Sequence, residues 1–290
     1  MRPKELMALA LLGALWGGSF LFIRVAVPAL GPFVLMEMRV GLAAVVLTLY
    51  AIVASRLPKL RAYWKEFLIL GGLNAALPFM LIAASEINLT ASLGAILNST
   101  TALFATVVAA AWIGEALTVR KAVGVVSGIV GVVVLVGWTP IALDWIVLIS
   151  VGASLAAAFS YALGGVYAKR TFVDTPLLTL AIGQQAGAAM LLLPPAAVTL
   201  PAEAPPLVVA LSVLALSLLS TAVAYLLYFH LLANVGPTKT LTVTFLVPVF
   251  GLLIVTHQRS RPSVLLPMLR RLRRSGWAWT KVLRASTSSG

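Results

Sequence analysis

The chain of 290 residues has no cysteine, which excludes disulfides, thiolate metal sites and a cysteine nucleophile. Acidic groups are nearly as scarce. The 8 carboxylates stand alone at positions 5, 37, 66, 86, 115, 144, 174 and 203, with no two closer than 20 positions, and no DxxxD, HExxH or HxE pattern occurs. A locally encoded acid pair or metal site for hydrolysis or prenyl transfer is therefore missing, which weighs against an enzyme and against a resident metal or cofactor. His230 and His257 are isolated as well, and a lone histidine near a helix end is more often interfacial than a ligand. Long polar stretches are also lacking: only 10% of residues are charged, whereas 61% are hydrophobic.

What is present is apolar length. A mean hydropathy of +1.06 describes more apolar surface than a soluble domain of this size can bury. Nine apolar runs of 17 to 26 residues lie between Leu6 and Thr256, and a helix rising ~1.5 Å per residue needs ~20 residues to cross ~30 Å of hydrocarbon. Backbone groups in lipid must pair internally, and runs this long are helices rather than barrel strands. The pattern predicts helices at Leu6 to Val27, Phe33 to Val53, Phe67 to Ala84, Leu89 to Ile113 and Ala122 to Trp138, then at Trp145 to Ala168, Leu177 to Val198, Leu207 to Leu232 and Thr240 to Thr256. The first run, behind Arg2 and Lys4, has no small-x-small cleavage site and reads as a retained helix rather than a signal peptide.

The formal charge of +13 is unevenly spread: residues 1–256 carry 13 bases against 8 acids, residues 257–290 carry 8 bases and no acid. That argues against nucleic acid as a partner. Bases in short loops resist translocation. Arg2 and Lys4, then Arg56, Lys59, Arg61 and Lys65, then Arg120 and Lys121, then Lys169 and Arg170 occupy alternate connections, which places the N-terminus in the cytoplasm. A ninth helix would carry the basic tail outward, against that rule. Slid by about 145 positions, the chain echoes itself: Trp16 with Arg24 falls on Tyr161 with Lys169, and at 146 Asn88 falls on Asn234 and Phe104 on Phe250. Five helices per unit is odd, so two such units would be inverted.

Leu77-Pro78-Phe79, Ala95-Ile96-Leu97-Asn98 and Gly114-Glu115-Ala116-Leu117, with Ala224-Tyr225, Tyr228-Phe229, Val235-Gly236 and Leu246-Val247-Pro248-Val249-Phe250, resemble the drug/metabolite transporter (DMT) superfamily, in its EamA-domain branch. Trp16-Gly17-Gly18-Ser19-Phe20 and Arg39 match it too, and the resemblance covers residues 5–256. It implies an all-α integral membrane fold of ten helices in two inverted five-helix repeats. Here the expectation is about nine transmembrane helices: a first repeat at 1–140, an incomplete second at 141–256, and a basic tail at 257–290 where the tenth helix should stand. That segment, with no apolar run longer than Val264 to Leu269, reads as a replaced end. The implied function is a secondary transporter, acting as an exporter of small organic metabolites such as amino acids or drug-like compounds across the bacterial inner membrane by alternating access. The alternative is a truncated or frameshifted, inactive relative.

Polar residues inside apolar helices are costly and tend to face a cavity or the bundle interior. Arg39, two positions from Glu37 and on another face, reads either as a group for an anionic substrate or as an anchor snorkelling to the surface. Asn74, Asn98 with Ser99, Thr100 and Thr101, and Gln184 with Gln185 form further polar clusters. Trp16, Tyr161, Tyr225 and Tyr228 offer aromatic walls, with Trp16 and Tyr225 the deeper pair. The expected substrate site is Trp16, Arg39, Asn74, Asn98, Gln184 and Tyr225, for a neutral, zwitterionic or amphipathic solute. Glu37 is the one titratable candidate along that path, so uniport, exchange and proton antiport all stay open. Gly13 with Gly17, Gly124 with Gly128, and Gly183 with Gly187 permit close helix packing, within the bundle or in a homodimer. Pro78 and Pro248 should bend their helices.

Overall fold

A computed structural model of the chain describes residues 2–56, 60–114, 144–173 and 175–235, with shorter pieces at 118–119, 123–124, 126–127, 130–131, 243–244 and 246–251. These all lie in one unit, Met1–Leu252. The tail expected at 257–290 and most of the expected fifth helix lie outside the described residues. Among the described residues every element is helical, and six helices are long and apolar enough to cross a membrane.

The first, α1 (Pro3–Val53), consists of two helical segments joined by a kink at Gly31, whose φ of 69° and ψ of 166° belong to a region open essentially to glycine. The carbonyls of Leu15 and Met38 accept from Ser220 and Ser217, three positions apart. In a straight helix the two carbonyls would stand roughly 35 Å apart. The chain therefore turns back at Gly31, within the gap expected between Val27 and Phe33, but the helical turns run up to the bend instead of ending at Val27. Arg24, expected at a helix end, consequently lies inside the first segment.

The third expected helix is a composite spanning Leu60–Ser85: α2 (Trp64–Gly71), a π turn at Gly72–Ala76, and α3 (Leu77–Ser85). Pro78 explains the wide turn, because it has no N–H to offer the carbonyl of Asn74. The fourth is broken into α4 (Ala91–Ser99) and α5 (Thr101–Ile113). Ser99, Thr100 and Thr101 each turn a hydroxyl back to the carbonyl three residues earlier, a local bond that competes with the helical ladder. Thr90 caps α4 through Leu93, and left-handed Gly114 closes α5.

In the second half α6 (Trp145–Thr171) and α7 (Leu177–Val198) are uninterrupted. The helix expected from Leu207 is again composite: α8 (Leu207–Ser217), a π turn at Leu218–Val223, and α9 (Ala224–Val235). The second π turn begins 146 positions after the first, the offset at which the sequence echoes itself.

Lipid offers no hydrophobic drive for helices to meet, so close van der Waals packing and internal hydrogen bonds hold the bundle. α1 packs on α7 and α8, α2 on α7, and α3 and α5 on α6. At α2 against α7 the main chains touch: a Cβ on Gly71 would strike Ala188 N and Gln184 O, and one on Gly187 would strike Phe67 O. Gly183 lies under the Phe67 ring, while Gly13 and Gly17 receive Leu246 and Phe250. These glycine faces are thus filled within the chain. Among the described residues nothing lies within 4 Å of a Cβ on Gly124, and Gly128 lies outside them.

Candidate functional site

The close approach of Gly71 to α7 sets the site, because it brings Gln184 to the first π turn. Asn74 Nδ2 donates to Gln184 Oε1 at 2.6 Å, and Gln184 Nε2 donates to the Tyr225 hydroxyl at 2.8 Å. Gln185, the next residue, is fully buried with both side-chain amide atoms unpartnered. Gly164 of α6 lets that helix lie against Asn74, and Ser160, one turn earlier, donates to the Leu73 carbonyl inside the π turn at 2.7 Å.

Arg39 enters from the second segment of α1. Its Nε donates to Thr221 Oγ1 at 3.0 Å, and its guanidinium carbon stands 3.9 Å from the centre of the Phe79 ring. Thr221, within the second π turn, in turn donates to the Leu216 carbonyl at the end of α8, so one hydroxyl both braces the distorted turn and holds the arginine. Arg39 is 5% exposed, which removes the snorkelling reading. Glu37 turns elsewhere, with Oε1 lying 3.3 Å from where a Gly41 Cβ would be. Trp16 meets Tyr225 edge-on at 6.3 Å and Tyr228 at 5.7 Å, and Tyr161 meets Phe79 edge-on at 6.1 Å.

These contacts come in matched pairs. Trp16 on Tyr225 corresponds to Tyr161 on Phe79; Ser220 to the Leu15 carbonyl corresponds to Ser160 to the Leu73 carbonyl. Arg39 with Thr221 corresponds to Gln184 with Asn74, and Arg39 over Phe79 to Gln184 with Tyr225. In every case the corresponding residues stand 145 to 147 positions apart.

Five of the six expected site residues, Trp16, Arg39, Asn74, Gln184 and Tyr225, therefore fall into one cluster. Asn98 is not hydrogen-bonded to it, and its Oδ1 is buried without a partner. Phe79, Thr221 and Tyr161 complete the cluster. The 146-residue offset, applied to Tyr225 and to Asn74, was the signal that would have pointed to Phe79 and to the Ser220-Thr221 pair. An apolar groove of about 520 Å³ lined by Phe33, Ile69, Leu73, Met80, Leu191 and Pro195 contains none of the cluster's polar groups and offers a polar solute nothing to bond. Among the described residues no group of three His, Asp or Glu converges on a metal position.

A second buried polar corner lies apart from this cluster. Glu86, in the connection after α3, is fully buried, with both carboxylate oxygens unpartnered. Its Oε1 sits where a Gly94 Cβ would be, beside the Phe20 ring. Arg24 Nη1 donates to the Glu86 and Leu89 carbonyls. Burial pushes the Glu86 carboxyl up to about 8, against the downward pull of Arg24. Glu86 falls in the sequence between two apolar runs, and nothing local marks such a carboxylate as buried.

No curated protein matches the chain. A crystal structure titled only as that of a protein aligns over 100% of both chains with a TM-score of 0.68 at 21% identity, a likeness of fold. The profile of the EamA-like transporter family matches residues 4–137 and 148–260. With that match over most of its length, and with its helices paired across the same two segments, the chain belongs to the EamA-like transporter family.

Proposed function

We propose that this protein is a secondary carrier that exports small organic metabolites across a bacterial plasma membrane by alternating access, with its N-terminus in the cytoplasm. In this reading residues 1–140 and 141–256 are inverted repeats of about nine helices in total, and the Arg39, Asn74, Gln184 and Tyr225 cluster binds substrate. The observation that carries it is the set of matched contacts. Each half contributes a helix that bonds the π turn of the other, so exchanging the conformations of the two halves changes the side to which one fixed polar cluster opens. The π turns supply the compliance, since wide turns of this kind are frequent at functional positions.

The decisive measurement is counterflow of radiolabelled organic acids, amino acids and amines in proteoliposomes. Flux of at least one class, reduced at least tenfold by Arg39→Ala and by Gln184→Ala, is expected. Flux unchanged in both variants would remove this cluster as the site, and no flux in any class would remove the carrier reading. Reporter fusions at residue 2 test the orientation.

A further inference from the structure

The matched contacts differ in one chemical respect. Arg39 and Gln184 occupy corresponding places, each bonded to a π turn of the other half and each facing an aromatic ring, yet one is a permanent cation and the other a neutral amide. A guanidinium has five N–H donors. Among the described residues Arg39 commits only Nε, to Thr221, and no carboxylate stands within ion-pair reach of it. The titratable groups that bear on it are the hydroxyls of Tyr161 and Tyr225, both neutral. A buried cation without an acid is costly, and a protein that kept only the packing would do better with a neutral side chain. The terminal nitrogens form a planar fork suited to two parallel bonds with a carboxylate. The rings of Trp16, Tyr225 and Tyr228 stand 5.7 to 6.3 Å apart and form an aromatic wall. No acid in the cluster would receive an ammonium group.

The geometry points to a small organic monocarboxylate with an apolar or aromatic body as the substrate class, its carboxylate on the Arg39 fork and its body against Trp16, Tyr225 and Tyr228. This rests on the reading of the cluster as the substrate site. It narrows the solutes considered from sequence: a carboxylate is required, an amino group is neither required nor recognised, and a simple amine is repelled by Arg39.

The test uses three probes of one shape, 3-phenylpropionate, 3-phenylpropan-1-ol and 3-phenylpropylamine, with the purified full chain. Calorimetric binding is expected to favour the carboxylate at least tenfold over the other two. Arg39→Gln, which makes the two corresponding places alike, should abolish that preference, and Arg39→Lys should keep part of it, since charge is retained and the fork is lost. Absence of the preference in the wild-type protein, including failure of all three probes to bind, overturns the inference, as does a preference that survives in Arg39→Gln. The same probes in proteoliposomes separate the two conclusions: a carboxylate preference in binding with no flux would sink the carrier reading and leave Arg39 as a carboxylate-binding group, whereas flux without that preference would sink only the present inference.

Discussion

The two helices that carry π turns, Leu60–Ser85 and Leu207 through Val235, have the same distortion 146 positions apart and different reasons for it. In the first, Pro78 withholds an N–H and Ser160 of a neighbouring helix takes up the Leu73 carbonyl. In the second there is no proline; Ala224 stands in its place, and Thr221 bonds the Leu216 carbonyl five residues back. A shared backbone shape is thus maintained by separate local chemistry, and the polar side chains it presents have been free to diverge. Just before the turns the halves also differ: Gly71 admits no side chain against α7, whereas Ser217 carries a hydroxyl that reaches the Met38 carbonyl at 3.3 Å.

The comparison can be broken most severely at that last pair. Gly71→Ser, which gives the first half the residue of the second, would drive a Cβ into Ala188 N and Gln184 O. Main chain cannot yield as a side-chain tip can, so a loss of about 3 kcal/mol or more is expected, read as a collapse of monodisperse protein in detergent. The converse change, Ser217→Gly, should cost only about 1 kcal/mol.

Next in size is a difference outside the cluster. Position 86 in the first half holds a buried carboxyl, and its 146-offset counterpart is Leu232. Since the Glu86 carboxyl sits at about 8 against an ordinary 4.5, the folded protein holds a proton that the unfolded chain releases. The stability this represents is complete below pH 4.5 and is lost as pH rises through about 8. A thermal-stability profile should fall across that window by on the order of a few kcal/mol, and Glu86→Gln should flatten it. A profile of equal slope in the variant would show that Arg24 compensates the charge.

Arg39→Met sharpens the functional side of the comparison. If the cation serves substrate, removing it relieves a buried charge, and stability should hold or rise by about 1 to 2 kcal/mol while carboxylate binding is lost. A structural arginine would show the opposite sign. The smallest effect belongs to Tyr225→Phe, which copies Phe79. It removes the Gln184 hydrogen bond at a cost of about 1 kcal/mol, measurable as a small drop in melting temperature, and should weaken substrate binding less than Gln184→Ala does.

The membrane class, the positions of the three fully described helices of the second half and most members of the polar cluster were legible because they depend on the local cost of polar groups in lipid. Leu177 to Val198 was read to the residue, and Arg39, Asn74 and Gln184 announced themselves as polar residues in apolar runs. The fold at Gly31 was marked by Gly-Pro but read as a longer break, since no pattern tells whether helical turns continue to the bend. The break at Thr100 was hidden because four consecutive polar residues fit a helix interior as readily as a back-bonded kink.

Sequence alone therefore determined that the chain is a bundle of membrane helices with a few costly polar groups, because each run must satisfy its own backbone in hydrocarbon. Only the tertiary structure decided that Arg39 faces Thr221 and Phe79 rather than the surface, that Gln184 joins Asn74 to Tyr225, and that Glu86 is buried. Those pairings span 182, 110 and 41 positions for the first three hydrogen bonds. They follow from which helix faces touch, a matter settled by glycines such as Gly71 and Gly187 that let two backbones meet.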